Sequence, residues 1–220
     1  MSPEWSLDRP APGLAVAQPR RGFRYGAEAF WVAGFALEGD MPRSAADLGT
    51  GSGVIALLLA SCGVDAIGFE LRNEWQAGWE ITLARSEVLG RVRLVQADVG
   101  SLPAGAFDLV TANPPFFPAG RGPAARDPWR RAARTESTAS LSGFVQAGTA
   151  ILAPGGRLCL VVPRERDQEV GSVVRGVRIG ARRTLLEVRP GAVPVTQYDE
   201  INEDHPRVLG WFQRFREPVQ

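Results

Sequence analysis

The run Asp47-Leu48-Gly49-Thr50-Gly51-Ser52-Gly53 dictates much of what can be built around it. It joins a short apolar segment, 44–48, to a longer one, Val54-Ile55-Ala56-Leu57-Leu58-Leu59-Ala60. A strand, a tight glycine turn and a helix N-terminus together form the unit that cradles nucleotides in α/β folds. Glycine suits such a turn because the backbone must adopt positive φ and because a Cβ would block the close approach of a ligand. The spacing is G-x-G-x-G behind an acid, whereas dinucleotide sites use G-x-G-x-x-G. A carboxylate at Asp47 would repel a pyrophosphate and suits a ligand that carries a cationic group.

The rest of the chain alternates in the same manner. The patterns predict strand 44–48, helix 53–62, strand 64–70, helix 72–89, strand 91–97 and strand 107–112. A helix near 138–152 follows, broken by Ala153-Pro154-Gly155-Gly156 ahead of a buried strand, Arg157-Leu158-Cys159-Leu160-Val161-Val162. A polar helix near 165–177 and final strands near 182–189 and 207–214 complete the pattern. Upstream, helical patterning runs from Ala27 to Leu37, and residues 1–22 read as an N-terminal arm or loosely packed lead-in to one domain, 23–220. Alternation of this kind implies a doubly wound α/β sheet that binds ligands outside the carboxyl ends of its strands. The second strand ends in Glu70, about twenty residues beyond the loop, where a carboxylate can hold ribose hydroxyls. The third ends in Asp98, placed for ligand contact or for capping a helix, and one role does not exclude the other.

The strand Phe107-Asp108-Leu109-Val110-Thr111-Ala112 leads directly into Asn113-Pro114-Pro115-Phe116. An exocyclic amine on a nucleobase is a poor nucleophile because its lone pair is delocalised into the ring. Two hydrogen bonds from its N–H groups, to the Asn113 side-chain oxygen and the Pro114 carbonyl, would relieve that delocalisation. Successive prolines stiffen the backbone and offer no competing N–H, so the carbonyl stays aimed. Phe116 would stack on the base, a contact worth roughly 1–3 kcal/mol.

Composition removes several alternatives. No apolar run approaches the ~18 residues of a membrane span, and the N-terminus lacks a secretory pattern, so a cytoplasmic protein is expected. The single histidine, His205, and the two cysteines, Cys62 and Cys159, make no metal-ligand cluster, and both cysteines read as small core residues. The net charge is +1, with all 25 basic residues arginine. Clustering carries the information. Arg121, Arg126, Arg130, Arg131 and Arg134 surround Trp129 against one acid, Asp127, and a second basic stretch runs through Arg175, Arg178, Arg182 and Arg183. Local basic patches on a near-neutral chain suit a compact nucleic acid better than a long duplex.

In this order, the glycine loop and Asn113-Pro114-Pro115-Phe116 resemble the S-adenosylmethionine-dependent methyltransferases that alkylate planar amines. More closely, the chain is similar to bacterial adenine-N6 methyltransferases that modify valine tRNA next to the anticodon. The similarity covers roughly residues 18–163. It includes Gln18-Pro19-Arg20-Arg21-Gly22-Phe23-Arg24-Tyr25-Gly26, Arg126-Asp127, Ala132-Ala133-Arg134-Thr135-Glu136 and Leu152-Ala153-Pro154-Gly155-Gly156-Arg157-Leu158. Glu28 stands where that family usually has Asp, Phe116 where it commonly has Tyr, and the chain diverges most beyond Arg164. The resemblance implies a Rossmann-like sheet of seven strands with an antiparallel C-terminal ending. It also implies S-adenosylmethionine held by Asp47, Gly49, Gly51, Gly53, Glu70, Asp98 and Asn113, with Asp98 receiving the adenine amine. Asn113, Pro114, Pro115 and Phe116 would form the catalytic loop. A tRNA anticodon stem-loop would lie on Arg121, Arg126, Trp129, Arg130, Arg131 and Arg134 of a monomer. Guanine N2 of ribosomal RNA, a protein glutamine, and a non-catalytic RNA-binding role are the alternatives.

Overall fold

A computed structural model describes residues 4–22, 24–88, 90–102, 107–115 and 140–216. Its main sheet contains β3 (Ser44–Leu48), β4 (Asp65–Glu70), β5 (Val92–Gln96), β6 (Phe107–Ala112), β7 (Leu152–Pro163), β8 (Val173–Ile179), β9 (Arg183–Val188) and β10 (Asp199–Ile201). The strand order is β10-β8-β9-β7-β6-β3-β4-β5. Neighbours from β7 to β5 are parallel, β9 runs antiparallel to both β7 and β8, and β10 is parallel to β8. Successive residues serve opposite faces, as the pleat requires. Ala45, Leu109, Cys159 and Val161 join one core, with α1 (Ala27–Ala36), α2 (Val54–Ser61) and α5 (Pro206–Arg214). Ala46, Val110, Leu158, Leu160 and Val162 join the other, with α4 (Leu141–Ala150). The expected doubly wound architecture is therefore present. Residues Val54–Ala60 of α2 are all buried, which suits a helix that is apolar on every side. Cys159 lies in the first core, where burial pushes its thiol up to about 12. Among the described residues, no helix is long and apolar enough to cross a membrane.

Four expectations change. The main sheet has eight strands among the described residues rather than seven, because the short β10 adds to its edge. The polar helix expected at 165–177 is a 3-10 turn, Arg164–Glu169, followed by strand β8. Val177 and Ile179, two residues apart, are buried in the first core, and Val173, beyond a register shift, is buried in the second, so the segment presents apolar residues to both faces as a strand does. The strand expected at 207–214 is α5. Val208, Trp211 and Phe215 are the buried positions, at helical spacing. Pro206 opens the helix, and the Arg207 N–H donates to His205 Nδ1 at 3.2 Å.

The fourth change concerns the lead-in. Within it, β1 (Trp5–Asp8) and β2 (Val16–Pro19) form an antiparallel hairpin. Leu14, Ala15 and Val16 are fully buried. Two hydroxyls, Thr82 of α3 (Gln76–Ala84) and Ser86 just beyond it, hold β2 and the residue before it by the backbone. The Ala17 N–H donates to Thr82 Oγ1 at 2.9 Å, and the Ala15 N–H to Ser86 Oγ at 3.0 Å. Side chains on a distant helix thus satisfy backbone groups that would otherwise be buried without partners.

Candidate active site

The glycine loop leaves β3 at the carboxyl edge of the sheet. Gly49, Gly51 and Gly53 have φ of +67°, +52° and +85°. At Gly53 the conformation demands glycine, and a Cβ, 2.7 Å from a methyl of Leu94, would also push that side chain aside. The Thr50 N–H donates to the Phe69 carbonyl at 3.0 Å, which ties the loop to the end of β4. The Gly51 N–H donates to Glu70 Oε2 at 3.0 Å, and the Arg72 N–H to Glu70 Oε1 at 3.1 Å. Burial raises the Glu70 carboxyl above its ordinary range, and these N–H groups oppose the rise. Each Glu70 oxygen keeps a second lone pair.

Asp98 follows β5, is exposed, and accepts from the Gly100 N–H at 2.9 Å at the start of a short 3-10 turn. The capping role is present, and the carboxylate still faces solvent. Asp47 lies beneath the loop and is only 1% exposed. Its Oδ1 accepts from the Thr111 hydroxyl at 2.8 Å, while Oδ2 is buried without a donor. Thr50 stands beside it outside hydrogen-bond geometry, its own hydroxyl unpartnered. Burial pushes the Asp47 carboxyl up to about 7; Thr50 and Thr111 oppose the rise, and the nearby Glu70 charge adds to it.

Asn113 follows β6, whose last residue, Ala112, is paired with Leu48 of β3. The register brings Asn113 beside the first glycine of the loop. Its side-chain oxygen is buried with no donor among the described residues. Pro114 is buried and Pro115 half-buried. Phe116, Arg121, Arg126, Trp129, Arg130, Arg131 and Arg134 lie outside the described residues. Adjacent parallel strands β6, β3, β4 and β5 therefore set Asn113, Asp47 with the glycine loop, Glu70 and Asp98 along one edge. Two of these side chains bury an oxygen that lacks a donor. Such a set fits a ligand that brings a cationic N–H group, hydroxyls and an amine.

Residues 35–179 match the family described as methyltransferase small domain. The chain belongs to that family. It is similar to proteins named tRNA1(Val) (adenine(37)-N6)-methyltransferase. One from Aeromonas salmonicida is 31% identical over 58% of this chain and 55% of that protein. One from Aeromonas hydrophila is 34% identical over the same shares, and one from Porphyromonas gingivalis strain W83 is 33% identical over 71% and 64%. The chain thus spans little more than half the length of the first two. In fold it is similar to a predicted O-methyltransferase from Agrobacterium tumefaciens, with TM-score 0.63 and 17% identity over 88% of this chain and 99% of that one. A ribosomal protein L11 methylase from Lactobacillus delbrueckii gives TM-score 0.51 and 16% identity over 73% and 77%.

Within this methyltransferase-family domain, two tryptophans went unforeseen. The Trp79 indole N–H donates to the Gly51 carbonyl at 2.8 Å. The Trp75 ring lies 3.6 Å from where a Cβ on Gly51 would stand. Their i, i+4 spacing places both on one side of a helical turn, a signal that was available in the sequence. The second basic stretch is not a basic patch. Arg175 pairs with Glu38 and Glu187, Arg178 with Asp167 and Glu200, and Arg183 with Glu28. Arg182 alone among these four makes no ion pair within the described residues.

Proposed function

We propose that this chain is an S-adenosylmethionine-dependent methyltransferase that modifies N6 of adenine in RNA, with a tRNA anticodon loop as substrate, in the cytoplasm. The observation that carries the reading is the Asn113 oxygen, buried beside the glycine loop without a donor among the described residues. A buried amide oxygen left unpaired costs on the order of 1–3 kcal/mol, a cost removed when an amine N–H binds there. The names of the relatives support adenine N6 and tRNA.

S-adenosylmethionine would supply a methyl group on a positively charged sulfur. Asp47 would offer its unpaired oxygen to the ammonium end, Glu70 its spare lone pairs to the ribose hydroxyls, and Asp98 its exposed carboxylate to the adenine amine. Asn113 and the Pro114 carbonyl would hold the target amine with its lone pair directed at the methyl, so that positioning contributes most of the rate. Phe116 would stack on the base, and Arg121, Arg126, Trp129, Arg130, Arg131 and Arg134 would take the surrounding phosphates.

Incubation with isotope-labelled cofactor and either total RNA or protein extract, followed by mass spectrometry of nucleosides and peptides, tests the proposal. Labelled N6-methyladenosine is expected. Labelled N2-methylguanosine or methylglutamine in its place would refute the adenine reading.

A further inference from the structure

A second feature of the same sheet edge lies on its antiparallel side. Pro163, the last residue of β7, is paired with Arg183, and Arg183 in turn with Ile179. The turn Gly180–Arg182 therefore opens on the edge that carries Asn113. Beside it is a cavity of about 150 Å³ lined by Trp31, Ile179, Arg182, Arg183, Glu28 and Glu203. Trp31 is 5% exposed, and its indole N–H is buried without an acceptor among the described residues. Arg182 and Glu203 are exposed and make no ion pair among the described residues, whereas Arg183 and Glu28 are paired at 3.1 Å.

We propose that this cavity is a subsite for one nucleobase of the RNA, separate from the base that is modified; the inference rests on the RNA reading above. Three properties of the cavity select the ligand. Its volume equals that of an engineered cavity known to admit a single aromatic ring. Its lining residues include a guanidinium, a carboxylate and a tryptophan whose indole N–H lacks an acceptor among the described residues, groups that match a heterocycle edge presenting both acceptors and an amine. Two acids balance two arginines, so the walls attract a neutral base and not a phosphate. Distance agrees as well. β9 lies two strands from β6 and β8 three, so at about 4.8 Å per strand the cavity is roughly 10–15 Å along the edge from Asn113. That span is a few nucleotides of unstacked chain, and single-stranded loops are where proteins read RNA bases.

The test uses an RNA hairpin with adenine in its loop, and the same hairpin carrying an abasic site at each loop position in turn. Affinity is measured at several salt concentrations for the wild type and for Trp31→Phe, Glu203→Gln and Arg182→Ala. Trp31→Phe keeps the ring and removes the donor. The other two changes are at exposed positions and do not threaten folding, which thermal unfolding checks. Trp31→Phe and Glu203→Gln should each weaken binding about three- to tenfold, with an unchanged salt slope and unchanged cofactor affinity. One abasic site away from the target adenine should weaken the wild type similarly and Trp31→Phe no further. Wild-type binding accompanied by unaltered affinity in all three variants would overturn the subsite while leaving the RNA reading intact. A salt slope that falls by about one in Arg182→Ala, with Trp31→Phe unaffected, would make it a phosphate seat and also overturn it. No binding of the hairpin by the wild type would remove the RNA reading and the subsite together.

Discussion

Asp47→Asn should stabilise the ligand-free protein and weaken it as a cofactor binder. Burial raises the Asp47 carboxyl from 3.8 to about 7. A folded state that holds its proton more tightly than the unfolded chain loses stability as pH rises between those two values. The full shift corresponds to about 4 kcal/mol at and above pH 8, and the amide removes that term. Asparagine keeps the acceptor for Thr111 and can donate its new N–H to the unpartnered Thr50 hydroxyl. Urea unfolding of both proteins at pH 4 and pH 8.5 should give similar stability at the lower pH. At the higher pH the variant should be more stable by about 2–4 kcal/mol. Glu70 also has a raised carboxyl, so the difference between variants, and not the wild-type curve alone, isolates Asp47. With saturating S-adenosylmethionine the order should reverse, because only the carboxylate gains from the ammonium. A variant no more stable than the wild type at pH 8.5 would refute the assignment of a buried, strained carboxyl.

Asn113→Ala should lower turnover by orders of magnitude, far more than it lowers cofactor affinity, since it removes an acceptor for the target amine; near-full methyl transfer in the variant would exclude the planar-amine chemistry. Gly53→Ala should cost about 1–3 kcal/mol in urea unfolding, because alanine is strained at φ +85° and its Cβ displaces Leu94; an unchanged midpoint would contradict the loop geometry. Replacing Arg130 and Arg131 together with alanine should weaken RNA binding and lower its salt slope by about one or two; an unchanged slope would move the RNA surface elsewhere.

The parallel half of the sheet was legible in the sequence because its signals are local. The glycine loop, the acids at the end of β4 and just beyond β5, and the Asn-Pro-Pro run each declare a strand end within a few residues, and a parallel sheet collects strand ends on one edge. In the antiparallel half the strand expected at 182–189 is β9, whereas β8 and α5 were misread because their signals are relational. Val208-Leu209-Gly210-Trp211-Phe212 is a short apolar run that suits a strand or a helix equally, and only packing against α1 decides. There the Trp211 indole N–H and Arg207 both donate to Glu38. The hairpin at residues 5–19 went unseen for the same reason, since its anchors, Thr82 and Ser86, are distant in sequence.

Register also explains why arginines that look like a nucleic-acid patch in the sequence are largely neutralised. Arg175 stands opposite Glu187 across β8 and β9, and its guanidinium meets that carboxylate at 2.6 Å. Directly opposed charges stabilise an antiparallel pair, so each strand arginine that meets an acid contributes to the fold and not to a surface field. Arg182 escapes because it lies in the turn, where no cross-strand partner exists. Its charge is therefore available at the carboxyl edge, on the side of the sheet that carries Asn113.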